Sequence, residues 1–102
     1  MKNYLNKFSL KNKYSIVLGG AGLLGSHISE ALLSAGSKIL ILDINTSNAK
    51  KISKKFSSKN QKYYKFDVSD LNNLENNFNK ILKKFGTPDI FINCSYPITK
   101  DW

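Results

Sequence analysis

Apolar residues recur along this chain in two alternating rhythms. Residues 14–18 (YSIVL), 38–43 (KILILD), 63–67 (YYKFD) and 89–93 (DIFIN) are short runs rich in β-branched and aromatic side chains, which predicts four strands. Between them the spacing lengthens to three and four. Leu24, Ile28, Ala31, Leu32 and Ala35 predict a first helix over residues 23–35, with Gly36 as its stop. Asn45, Thr46 and Ser47 offer caps for a second, polar helix reaching about residue 56. Ser69 or Asp70 caps a third helix, in which Leu71, Leu74, Phe78, Ile81 and Phe85 form a stripe that ends at Gly86. The alternation β-α-β-α-β-α-β with short loops predicts an α/β domain with a parallel sheet joined by right-handed crossovers. The lysine within the third run moves that strand toward the sheet edge. Residues 1–13 read as a lead-in whose Phe8 and Leu10 are expected to pack on the sheet, residues 14–96 as the domain, and residues 97–102 as a tail.

Composition narrows the picture. A chain of 102 residues makes one domain, and its 41% hydrophobic and 12% aromatic content is that of a globular protein. No apolar run approaches the roughly 18 residues of a membrane span, and the polar, lysine-rich MKNYLNKFSLKNKYS lacks the apolar centre of a secretory signal, so a soluble, cytoplasmic protein is expected. Cys94 is the only cysteine, which excludes an internal disulfide and a cysteine metal cluster and leaves a buried thiol. The net charge of +9 invites a nucleic-acid reading, but all sixteen basic residues are lysine and none is arginine. They are scattered, and their densest group, Lys50, Lys51, Lys54, Lys55 and Lys59, falls at helical spacing and reads as a solvated face. Neither nucleic acid nor a membrane is therefore expected as a partner. The seven acidic residues show no paired spacing for metal or glycosidase chemistry, and His27 reads as a surface or cofactor-neighbouring side chain.

The chemistry sits where the first strand turns into the first helix, at LGGAGLLG over residues 18–25. In that context each glycine has a physical reason to be there. Gly19 permits the tight turn, Gly22 lets a pyrophosphate approach the backbone, and Gly25 lets the helix pack closely on the sheet. With Leu23 and Leu24 between them, these residues carry the helix-start N–H groups that face an anion. Asp43 ends the second strand eighteen residues after Gly25, where a carboxylate can accept hydrogen bonds from both hydroxyls of an adenosine ribose. Its charge repels a 2′-phosphate and neither Ile44 nor Asn45 supplies a cation, so NAD is expected ahead of NADP.

These residues resemble the short-chain dehydrogenases/reductases. The resemblance covers residues 8–96 and rests on SLKNKYSIVLGGAGLLG, ILILD, FDVSD and KKFGTPDIFIN in that order and spacing. It implies an NAD(P)-dependent oxidoreductase on a Rossmann-type doubly wound parallel sheet, incomplete here, with about four strands in the order 3-2-1-4 and three helices. It further implies that Gly19, Gly22 and Gly25 line the pyrophosphate, that Asp43 holds the ribose, that Asp67 and Val68 contact the adenine, and that Asn93 runs close to the cofactor and steadies the central sheet. Leu18 stands where the family has threonine, the glycine spacing is nearer the extended, epimerase-like subgroup, and FGTPDIFIN looks classical. Cys94, Ser95 and Tyr96 replace an Asn-Ala-Gly run.

Tyr96 and Lys100 have the four-residue spacing of the family's catalytic pair, but they follow the fourth strand directly and Pro97 pushes Tyr96 out of helical geometry. The sequence is therefore expected to hold no catalytic residue and to be inactive alone, as the cofactor-binding N-terminal portion of an oxidoreductase whose small-molecule substrate is met elsewhere in the parent protein. Two alternatives stay open: a non-catalytic NAD-binding module completed by homo-oligomerisation or by a partner chain, and a fragment of an extended-type sugar-nucleotide epimerase or dehydratase.

Overall fold

The computed structural model describes residues 7–56 and 59–95, with Lys55 and Phe56 described by backbone alone. Strand β1 (Tyr14–Leu18) is followed by helix α1 (Leu23–Ser34), β2 (Lys38–Asp43), α2 (Thr46–Phe56), β3 (Gln61–Lys65), a 3-10 turn (Leu71–Asn73), α3 (Leu74–Phe85) and β4 (Ile90–Asn93). The four strands form one parallel sheet in the order β3-β2-β1-β4. β1 and β2 lie inside it, and their side chains alternate between two buried faces, which is why Ile16 to Leu18 and Ile39 to Leu42 are unbroken apolar runs. Ile16, Leu18, Leu40 and Leu42 point to one face and pack with Phe66 and Ile81 beneath α3; Ile39 and Ile41 point to the other and pack with Ala21, Ala49, Leu32 and Ile52 beneath α1 and α2. Helices thus cover both faces, as a doubly wound sheet requires.

Several sequence expectations need correction. The third strand runs two residues earlier than expected: Gln61 pairs with Ile39 and Lys65 with Asp43, and Phe66 leaves the ladder to enter the core. At the sheet edge residues 62–65 are exposed, so the apolar pattern does not mark the strand. The buried face of α1 carries Gly25 and Ser29, while Leu24 is 63% exposed and Ala31 is exposed. Leu71 lies outside the α3 stripe, 76% exposed in the 3-10 turn. Neither Ser69 nor Asp70 caps the backbone there; the Asp70 carboxylate instead accepts from the Asn73 side-chain amide at 3.1 and 3.3 Å. Phe8 is 74% exposed and does not pack on the sheet, whereas the Leu10 N–H donates to the Ala35 carbonyl at 2.8 Å.

Among the described residues β4 forms an open edge, with Phe91 exposed. Beside it, a cavity of about 500 Å³ opens between Leu18, Phe66, Leu74, Phe78, Pro88 and Phe91. No helix among the described residues is long and apolar enough to cross a membrane.

Candidate functional site

Because all four strands are parallel, their carboxyl ends meet at one edge, and the strand order reverses between β1 and β4. Such a reversal leaves a crevice outside the strand ends, the usual place for a ligand on an open α/β sheet. The Gly19 N–H donates to the Leu42 carbonyl at 2.7 Å and the Cys94 N–H to the Leu18 carbonyl at 2.7 Å, so the glycine turn is laced to the strands on either side.

Gly19 has φ of +75°, in the left-handed region, and a Cβ there would stand 2.8 Å from the Ser95 nitrogen. Gly25 allows the first turn of α1 to press on the loop: a Cβ there would lie 2.1 Å from the Gly19 carbonyl oxygen. Gly22 differs from both, because a Cβ at this position would meet only the Gly19 oxygen, at an ordinary 3.5 Å. It occupies the N-cap of α1, where no side chain bonds the first-turn amides and no acidic residue stands in the first turn. The donor set at Leu23, Leu24 and Gly25 suits an anion arriving from outside. Leu23 is 84% exposed. Gly20, which the sequence pattern did not single out, is also required to be small, since a Cβ would come within 2.9 Å of Ile41 Cγ2.

Asp43 stands at the end of β2. Its Oδ2 accepts the Ala21 N–H at 3.0 Å and its Oδ1 accepts the Asn45 N–H at 2.9 Å. The carboxylate is therefore fixed directly against the glycine turn, and each oxygen retains a lone pair for another donor. On the next strand, Phe66 donates its N–H to the Asp43 carbonyl at 3.1 Å, which brings the following Asp67 and Val68 to the same end of the sheet. Asp67 Oδ1 accepts the Ser69 hydroxyl at 2.6 Å and the Ser69 N–H at 2.9 Å. Those bonds, the hydroxyl's first, hold the carboxyl below its ordinary range, and Lys65 assists. Val68 is exposed. Asn93 closes a local turn, with Oδ1 accepting the Ser95 hydroxyl at 2.5 Å and the Ser95 N–H at 2.9 Å.

Cys94 is half-buried, and burial pushes its thiol up. His27 is exposed. Tyr96 and Lys100 lie outside the described residues. Among the described residues no cluster of His, Cys, Asp or Glu could hold a metal ion.

Sequence comparison places these features among known proteins. A protein-family model for short chain dehydrogenases matches residues 13–95. The chain is 38% identical over 93 residues to a sorbose reductase of Candida albicans, covering 88% of this chain and 33% of that protein. It superposes on an oxidoreductase from Haemophilus influenza, solved with bound NAD, with a TM-score of 0.75 and 33% identity, over 96% of this chain and 36% of that one. A 2-keto-3-deoxy-D-gluconate dehydrogenase from Streptococcus agalactiae gives a TM-score of 0.74 and 29% identity, over 90% and 35%. The chain spans about a third of the length of the curated relatives it matches.

Proposed function

The chain belongs to the short-chain dehydrogenase family, and from that premise we propose that residues 14–95 hold the adenosine and pyrophosphate half of NAD for an oxidoreductase. The single observation that carries this reading is the 3.0 Å bond between Asp43 Oδ2 and the Ala21 N–H, which sets a ribose-binding carboxylate against an anion-binding turn. The first-turn amides of α1 receive the pyrophosphate, with the helix dipole adding about 0.3 to 1 kcal/mol. Gly22 leaves the backbone bare at the point of approach. Asp43 accepts the two ribose hydroxyls, and Asp67 and Val68 border the adenine. Asn93 and Gly19 form the floor between β1 and β4, toward the nicotinamide side.

When bound, the nicotinamide supplies a hydride acceptor or donor, and the substrate is a small carbonyl or hydroxyl compound. The relatives named for sorbose and 2-keto-3-deoxygluconate support a sugar-derived substrate for the protein that carries these residues.

NAD is favoured over NADP because the Asp43 carboxylate would face a 2′-phosphate directly and Ile44 and Asn45 bring no cation. The observation on the other side is Lys65, registered opposite Asp43 on β3, whose charge could partly offset that repulsion. Calorimetric titration of both dinucleotides separates the two readings. NAD is expected to bind at least about tenfold more tightly, the scale of one unfavourable charge contact. Tighter binding of NADP, abolished in Lys65→Ala, would instead assign the site to the phosphorylated cofactor.

A further inference from the structure

Asp43 belongs to a closed ring of four hydrogen bonds. Its Oδ2 accepts the Ala21 N–H at 3.0 Å; the Ala21 carbonyl accepts from the Asn48 side-chain amide; the Asn48 backbone N–H donates to Asn45 Oδ1 at 3.0 Å; and the Asn45 N–H returns to Asp43 Oδ1 at 2.9 Å. The ring joins the glycine turn, the end of β2 and the first turn of α2. Asn45 serves its own helix as the cap of α2. The Asn48 side chain does nothing comparable within α2, where alanine would be the better former; its amide reaches across 27 residues of sequence to the turn.

The consequence lies in the two peptide planes that flank the Ala21 Cα. Asp43 holds the first through the Ala21 N–H, and Asn48 holds the second through the Ala21 carbonyl. That second plane ends in the Gly22 N–H, which donates to the Gly19 carbonyl at 3.2 Å and closes the turn just ahead of the free first-turn amides of α1. Gly22 has φ of −77°, and a glycine can pass to positive φ at little cost. Rotation of the Ala21–Gly22 peptide would break both the Gly19 bond and the Asn48 bond, and it would displace the start of α1, whose first-turn amides face the anion.

We infer that Asn48 is a positioning residue for the dinucleotide: by donating to the Ala21 carbonyl it fixes the turn that sets the first-turn amides of α1 toward the pyrophosphate and keeps Asp43 aimed at the ribose. This rests on the cofactor reading given above. The test compares the 102-residue chain with its Asn48→Ala and Asn48→Gln variants by calorimetry with NAD, by amide hydrogen exchange at Ala21 and Gly22, and by thermal unfolding. Asn48→Ala is expected to weaken NAD by about tenfold, the worth of one hydrogen bond, and to speed exchange at Ala21 and Gly22 with an unchanged melting midpoint. Asn48→Gln, which keeps an amide donor, is expected to recover part of the affinity. Equal NAD affinity in the wild-type chain and Asn48→Ala would overturn the inference alone. So would a loss of affinity that accompanies a general loss of protection across α2. A folded wild-type chain that takes up no NAD would overturn the cofactor reading and this inference with it.

Discussion

The glycines of the turn divide into those the fold needs and one, Gly22, whose side the packing leaves open. Gly25→Ala would drive a Cβ to 2.1 Å from the Gly19 oxygen, backbone against backbone, and is expected to cost about 1 to 3 kcal/mol of stability or more, read from denaturant unfolding. Gly22→Ala meets an ordinary 3.5 Å contact and is expected to leave stability within about 0.5 kcal/mol while weakening NAD, because the methyl occupies the approach to the backbone. If both variants lose stability equally, this division is wrong. Asp67 gives a pH prediction. Its folded-state pKa lies below the ordinary 3.8, so its bonds to Ser69 favour the ionised carboxylate, stabilise the fold above that pH, and lose their effect as pH falls through the lowered value. Ser69→Ala is expected to move the Asp67 titration upward, followed by carbon NMR of the carboxyl group. Gly19 and Asp43 were legible in the sequence because one needs a conformation only glycine adopts freely and the other ends an obvious strand. Asn48 was not, since its partner is supplied by the folded chain rather than by neighbouring residues.

At the scale of the elements, interior strands were easy to read and the margins were not. β1 and β2 are buried on both faces and announce themselves as unbroken apolar runs. Among the described residues β3 pairs on one side only, and its position follows from pairing Gln61 with Ile39 through Lys65 with Asp43, which its own polar pattern does not encode. The contact face of α1 escaped for a related reason: close approach to the glycine turn selects Gly25 and Ser29, small residues that a search for apolar side chains passes over. In α3 the stripe runs from Leu74 onward, while Leu71 falls out of phase because it lies in the 3-10 turn that precedes the helix. Leu71→Ala is accordingly expected to change stability by less than about 0.5 kcal/mol. Ile81→Ala, at a position 2% exposed beneath the sheet, is expected to cost about 2 to 5 kcal/mol. Comparable losses from the two would contradict the placement of α3.

For the molecule as a whole, the parallel sheet gathers Gly19, Asp43, Asp67 and Asn93 at one edge although they span most of the chain, and that gathering is what the strand order accomplishes. The opposite consequence is a β4 edge that no other strand pairs among the described residues, beside an apolar cavity of about 500 Å³. Exposed apolar edges of this kind are adhesive. The 102-residue chain is expected to associate as its concentration rises, and Phe91→Lys to shift it toward the monomer in light scattering. An unchanged mass distribution would remove the edge from the explanation. The central claim, that the turn and Asp43 together form a dinucleotide site, is tested most directly by titrating NAD into the isotope-labelled chain and following its amide resonances. The account predicts saturable shifts concentrated at residues 19–25, at Asp43 and at Asp67 and Val68; shifts confined to the lysine-bearing face of α2, or none in a folded sample, would contradict it.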